Sequence, residues 1–210
     1  MAVAVVVLLT TLFGRRFLLI LVGVFVAAII VMLIAFSGKL RTMSSVTEVS
    51  DGLYAMTCHY DYKCDKFLNA DISTTDEFIE WAVSEHFFGL PVELDVSDFG
   101  CCAFTAETPE GYRLFGRNFD YDETDTLVIY TEPKDGYASY GVVDLKFFNI
   151  GANESLAADS LPAKALMLAA PYVTMDGINE MGVGVGILQL DIPELHQDNG
   201  KTDLLIFAAI

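Results

Sequence analysis

From Phe17 to Phe36 every position is apolar or glycine, and a helix rising about 1.5 Å per residue over that run covers the roughly 30 Å hydrocarbon core of a bilayer. Met1 to Gly14 is also apolar but too short to span, so Arg15 and Arg16 mark the charged start of the hydrophobic segment. Residues 1–36 read as a signal peptide or a membrane anchor. Ala35-Phe36-Ser37 offers small residues where a signal peptidase cuts, whereas the length of the run is that of a retained anchor. Lys39 and Arg41 follow it as Arg15 and Arg16 precede it, so flanking charge alone does not set the orientation.

Beyond residue 36 the pattern becomes that of a folded domain. Ser37 to Ser50 is polar and reads as a juxtamembrane linker. Thr74-Thr75-Asp76-Glu77 is a capping box, followed by Phe78, Ile79, Trp81, Ala82, Val83 and Phe87 at helical spacing, and Gly89-Leu90-Pro91 ends the run. This predicts an amphipathic helix over 74–88. Strand patterns come next: Cys102 to Glu107, a turn at Thr108-Pro109-Glu110-Gly111, and Tyr112 to Asn118 form a hairpin. Thr126 to Thr131 and Tyr137 to Phe148, joined through Asp135-Gly136, extend a largely antiparallel sheet. Leu161 to Ala170 reads as a helix, Val183 to Leu190 as a glycine-spaced strand, and Thr202 caps a last apolar helix.

Charge separates the two parts. The 210 residues carry 12 Lys plus Arg against 29 Asp plus Glu, a net charge of -17, yet residues 1–36 hold no acid and only two bases. Residues 37–210 therefore carry -19. Such a surface repels phosphates, which excludes nucleic acid as a partner, and the scarcity of basic residues near the membrane after Lys39 and Arg41 leads to the expectation that the acidic part lies outside the cytoplasm. Cys58 and Cys64 would close a small disulfide loop in that oxidising setting. The paired spacing of a zinc site is missing around them. No metal or other cofactor is expected.

The chemistry-bearing stretch is Phe99-Gly100-Cys101-Cys102-Ala103-Phe104, with Gly116-Arg117-Asn118-Phe119-Asp120 after it. Gly100 leaves the backbone ahead of Cys101 unhindered, which suits attack by the thiol on its own preceding carbonyl. Breaking the Gly100-Cys101 bond would give Cys101 a free α-amino group with a reference pKa of about 7.7–8.0, a base near neutrality. One residue then supplies nucleophile and base. Arg117 and Asp120 fall on the neighbouring strand, where a cation favours a thiolate and a carboxylate orients the new ammonium. An ordinary ion pair at a strand end is the alternative.

These residues, together with Asp176-Gly177-Ile178-Asn179-Glu180-Met181-Gly182, resemble the choloylglycine hydrolase and penicillin V acylase family of N-terminal nucleophile hydrolases, the linear amide C-N hydrolases. Arg117 and Asp120 follow Cys101 by 16 and 19 residues, matching the family's Gly-Arg-Asn-x-Asp, and the later stretch matches its Asp-Gly-Met-Asn-Glu-Lys-Gly. Taking Cys102 as the nucleophile breaks both intervals. The resemblance implies an α+β fold, the αββα four-layer sandwich, here in part and preceded by the apolar helix. It implies autocatalytic exposure of Cys101 and hydrolysis of linear amides by Cys101, Arg117 and Asp120. Gln189 stands where the family places an oxyanion-hole Asn.

The expected organisation is residues 1–36 as signal or anchor, 37–100 as a prosegment or small subunit with one helix, and 101–210 as the N-terminal part of the hydrolase domain. Family members supply a further Asn and Arg from later strands, so the chain reads as C-terminally truncated. The expected partners are a small amide with an acyl or steroid-like part and the membrane through residues 17–36, with room for a second copy of the chain. The protein would be a single-pass membrane protein with its hydrolase part extracellular, or secreted. The competing expectation is a catalytically inactive extracytoplasmic module that binds an acyl ligand.

Overall fold

In a computed structural model of the chain, residues 2–86, 100–120, 124–151 and 154–188 are described. The chain divides into two compact units, Met1–Leu40 and Arg41–Ile210. The first is formed by helix α1, which runs Ala2–Ser45 and so ends inside the second. Gly14 interrupts its regularity with φ 75° and ψ 159°, backbone angles that glycine adopts without steric cost. Gly14–Ser45 is long and apolar enough to cross a membrane, and its large apolar side chains from Leu19 to Ile34 are exposed. By length and composition the same helix suits a membrane span or a signal sequence.

The polar stretch expected as a linker is ordered. The helix continues to Ser45, and Thr47–Ser50 is strand β1. The side chains of that polar stretch account for the difference. Thr42 Oγ1 accepts from the His59 N–H at 2.7 Å and Ser45 Oγ from the Thr57 N–H at 3.0 Å, pinning the last helical turn to the end of β2, Leu53–Thr57.

The second unit is mixed α+β. Its six-stranded sheet has the order β1-β2-β5-β6-β7-β8, with β5 at Thr126–Thr131, β6 at Ser139–Asp144, β7 at Asp176–Asn179 and β8 at Gly184–Gly186. All neighbours pair antiparallel except β2 and β5, which run parallel with Leu53 opposite Thr126. Strands β3 (Gly100–Glu107) and β4 (Arg113–Asp120) form the predicted hairpin as a separate two-stranded sheet.

Two predicted boundaries move for local reasons. The strand expected to reach Phe148 stops at Asp144, whose carboxylate accepts from the Lys146 N–H at 2.8 Å and caps a 3-10 turn over Leu145–Phe148. The helix expected over 161–170 is α-helical only as α4, Leu161–Leu166, and tightens to 3-10 over Met167–Tyr172. Pro171 lies in that turn, and a proline has no N–H to continue an α-helix. The capping box holds: Glu77 N–H donates to Thr74 Oγ1 and Thr74 N–H to Glu77 Oε2, both at 3.2 Å, at the start of α3, Thr75–His86. The stop at Gly89-Leu90-Pro91 and the helix after Thr202 lie outside the described residues.

Side chains alternate across a strand, so each sheet face has its own set. Leu127, Ile129 and Val143 point to one face and are fully buried. There they join Phe67 of α2 (Cys64–Leu68), Phe78 of α3, Met167 and Tyr172 in one apolar cluster. Phe67 is its hub, with ring centroids 5.0 Å from Trp81, 5.1 Å from Tyr172 and 5.7 Å from Phe78. The segment ahead of Cys101 thus supplies two strands, two helices and much of the core, more than the single helix expected of it.

The other face carries Thr126, Val142, Asp144, Asp176, Gly184 and Gly186, and the β3–β4 hairpin lies against it. A Cβ on Gly186 would meet Arg117 Cδ at 3.1 Å, and one on Gly184 the Phe115 ring at 3.4 Å. The absence of side chains at Gly184 and Gly186 is what lets the hairpin approach this closely. Helices and hairpin therefore cover opposite faces of one sheet.

Cys58 and Cys64 are free thiols here, not the expected disulfide. Burial pushes the Cys58 thiol up to about 11, and its Sγ lies 3.4 Å from the Tyr60 carbonyl oxygen.

Truncating the hub of the core, Phe67→Ala, should cost about 3–5 kcal/mol, read as a lower denaturation midpoint. A loss below about 1 kcal/mol would be the surface-mutation range and would remove Phe67 from its role. Glu85 makes a second prediction. Lys63 Nζ lies 2.6 Å from Glu85 Oε2, Lys66 Nζ contacts Oε1, and together they hold the carboxyl at about 2 rather than 4.5. A depressed acid stabilises the fold above its unfolded value and loses that contribution as pH falls toward 2. Exposed ion pairs contribute at most about 1 kcal/mol. Glu85→Gln should cost up to that at pH 7 and progressively less as the pH falls from about 4.5 through about 2, and a cost unchanged across that range would contradict the assignment.

Candidate active site

Strand alternation sorts the adjacent cysteines. In the hairpin register Cys101 opposes Phe119 and Ala103 opposes Arg117, so Cys101 and Arg117 are diagonal neighbours on one face. Cys102 points to the other face and is exposed. Arg117 Nη2 lies 3.1 Å from Cys101 Sγ. Cys101, not Cys102, is thus the thiol beside the guanidinium.

Both terminal nitrogens of Arg117 are held. Nη1 donates to Asp176 Oδ2 at 2.9 Å, Nη2 also donates to the Ile187 carbonyl at 2.6 Å, and Cζ sits 4.8 Å from the Phe119 ring centroid. Only 4% of its side chain is exposed. Bringing a guanidinium out of water costs several kcal/mol unless counter-charge and hydrogen bonds replace it. Asp176, Ile187 and Cys101 are those replacements, and the Phe119 face adds a cation–π contact. Among the described residues, Nε is buried without a hydrogen-bond partner.

Asp176 opens β7 directly after Met175, whose N–H donates to the Val142 carbonyl at 2.7 Å. Burial raises its carboxyl above the ordinary carboxylate range, with the Arg117 charge opposing that shift. The stretch following it is the end of a strand and a tight turn. Asn179 Oδ1 accepts from the Met181 and Val183 N–H groups at 3.1 and 3.0 Å, and Gly182 has φ 78°. Asn179 is therefore a turn former.

Of the four residues singled out from sequence, Cys101 and Arg117 come together. Asp120 stands opposite Gly100 in the strand register, at the end of β4. Gln189 lies outside the described residues. Sequence reading missed Asp176 as the partner of Arg117 and Ile187 as its carbonyl acceptor. The lone signal was an acid opening a motif-like strand.

Beside Arg117 lies a cavity of about 270 Å³, walled by Arg117, Phe119, Thr124, Thr126, Asp144 and Asp176 among others. Asp144 is buried, with Oδ2 accepting from Thr124 Oγ1 at 3.0 Å and Oδ1 from the Lys146 N–H. Desolvation raises its carboxyl as well. A thiol, a fixed guanidinium and two desolvated carboxylates together can support nucleophilic attack and bind a polar group.

Comparison with family models, with curated proteins and with solved structures found no match.

The Arg117–Asp176 pair yields an ordered prediction. Asp176→Asn strips the buried guanidinium of its counter-charge and should cost about 3 kcal/mol, the lower end for breaking a buried pair, since Asp176 keeps 21% exposure. Arg117→Met leaves a carboxylate that burial already inclines to protonate, and should cost less. Chemical denaturation showing the reverse order would contradict this account of the pair.

Proposed function

We propose that the protein is a cysteine amidohydrolase of the N-terminal nucleophile type, acting on linear carbon–nitrogen amide bonds. The observation carrying this reading is the Arg117 Nη2 contact with Cys101 Sγ at 3.1 Å, on a guanidinium fixed by Asp176. A cation held beside a sulfur by other bonds offsets the negative charge that the sulfur carries when it acts as a nucleophile. The layer order is compatible with it: helices, a six-stranded sheet and a hairpin on its far face follow the order that the first three layers of an αββα sandwich would have.

Maturation begins when the Cys101 thiol attacks the Gly100 carbonyl carbon. The acyl group moves from nitrogen to sulfur, and water hydrolyses the resulting ester, freeing the Gly100 carboxylate and the Cys101 α-amino group. In turnover the thiolate attacks the substrate amide carbon, and the α-amino group passes a proton to the departing amine. Water then cleaves the acyl-thioester and restores the thiol. Asp120 orients the α-ammonium, and Gln189 donates to the oxyanion, a role worth about 2.7–4 kcal/mol where such donors have been removed. The substrate is a small amide with an acyl or steroid-like part. The acidic unit lies outside the cytoplasm, tethered by α1 or released from it.

Because β2 pairs with β5 along Leu53 to Thr57 and Phe67 anchors the core, cleavage after Gly100 leaves the two pieces associated. Protein recovered from its host should show a second N-terminus at Cys101. The pieces should co-elute in native buffer and separate in denaturant. Cys101→Ala should give one uncut, inactive chain. An uncut wild-type chain that hydrolyses amides, or activity surviving in Cys101→Ala, would overturn the proposal. An uncut chain that binds acyl amides without cutting them would instead identify a binding module.

A further inference from the structure

Whether α1 is cut away or kept turns on the residues around Ala35-Phe36-Ser37, where small side chains suit a signal peptidase. Proteolysis concentrates where backbone is exposed and free of hydrogen bonds, at loop tips and frayed ends. Neither is found at this site. Ala35, Phe36 and Ser37 lie inside α1, which is interrupted far upstream at Gly14 and runs on to Ser45. Ser37 Oγ turns back to donate to the Ile34 carbonyl at 2.7 Å, and Lys39 Nζ lies 5.9 Å from the Phe36 ring centroid.

A helix opens from its ends, and the end nearest this site is closed. Thr42, five residues beyond Ser37, is fully buried, with its Oγ1 accepting from the His59 N–H. Ser45 Oγ accepts from the Thr57 N–H, and Met43 packs against the apolar core. Fraying that reached Ser37 from this end would have to break into the folded unit first.

The apolar stretch selects its own cover. A signal sequence that is removed has an apolar region of about 7–15 residues, whereas residues 17–36 are apolar or glycine throughout. Leu19, Ile20, Leu21 and Val22 are four consecutive positions and all are exposed. Four residues complete a helical turn, so apolar surface faces every direction around the axis. A protein groove covers one stripe of a helix and would leave the rest in water, but hydrocarbon tails cover all of it.

We propose that α1 stays uncut at Ser37-Gly38 and is a retained anchor, with residues 17–36 seated in the acyl chains of a phospholipid bilayer and the fixed helix end at Thr42 guarding the site from the peptidase. This selects the tethered form of the protein over the released one. It holds whatever chemistry Cys101 performs.

The test follows the full chain carrying Cys101→Ala in the cells that express it, so that no cut at Gly100-Cys101 complicates the pattern. The chain should sediment with membranes, stay there through an alkaline carbonate wash, and show by intact mass that Arg15 and Arg16 are retained. A soluble species beginning at Gly38 overturns the proposal, and so does a chain that the wash strips from the membrane. Leu33→Pro, four residues before Ser37, removes a helical N–H and should raise the Gly38 species at least about tenfold. An unchanged yield overturns the helix as the guard. In the wild-type chain, a wash-resistant α1 with no Cys101 terminus and no amide cleavage keeps the anchor and discards the hydrolase. A Gly38 terminus together with a Cys101 terminus does the reverse.

Discussion

A guanidinium buried between two sheets, that of Arg117, fixes the geometry on which the site depends. Its Asp176 partner belongs to β7, its carbonyl acceptor Ile187 follows β8, and its third contact is Cys101 on β3. Apolar contacts tolerate sliding, because they have no direction. A charge removed from water tolerates far less, since a displacement that breaks one of its bonds leaves the desolvation cost uncompensated. The hairpin is thereby held in one register against the sheet. The thiol is held with it, two residues from the strand position opposite Arg117.

Behind the sheet the stabilisation is of the ordinary kind. Phe67, Phe78, Trp81 and Tyr172 interlock on the face opposite the hairpin, and Tyr172 donates its hydroxyl to the Tyr62 carbonyl. Most of those rings precede Cys101 in sequence, yet they pack under strands that follow it. The platform for the site is thus built from both sides of the Gly100-Cys101 bond.

What sequence made legible was local chemistry. The capping box at Thr74 and the turn at Thr108-Pro109-Glu110-Gly111 were readable because the residues that make them are adjacent. In the turn, Gly111 takes φ 87° and Thr108 N–H donates to the Tyr112 carbonyl at 2.8 Å. The hairpin register followed from that turn, and with it the meeting of Cys101 and Arg117. The parallel pairing of β2 with β5 was not readable, since no local signal links Leu53 to Thr126. Asp176 was missed for the same reason: it lies 59 residues from the arginine it neutralises. Asp144 ended a strand that its apolar neighbours would have extended, because a carboxylate that caps a turn outweighs β-propensity at one position.

The small residues of β8 connect these levels. With no Cβ at Gly184 or Gly186, Phe115 and Arg117 lie against backbone, close enough for Nη2 to reach the Ile187 carbonyl. A larger side chain at Gly186 would lift the hairpin by the few tenths of an ångström that separate a hydrogen bond from a gap. The guanidinium would then lose a carbonyl acceptor, and its hold on the Cys101 thiol with it. Backbone closeness on an edge strand is in this way a condition for the chemistry at Cys101, although no atom of β8 need touch a substrate.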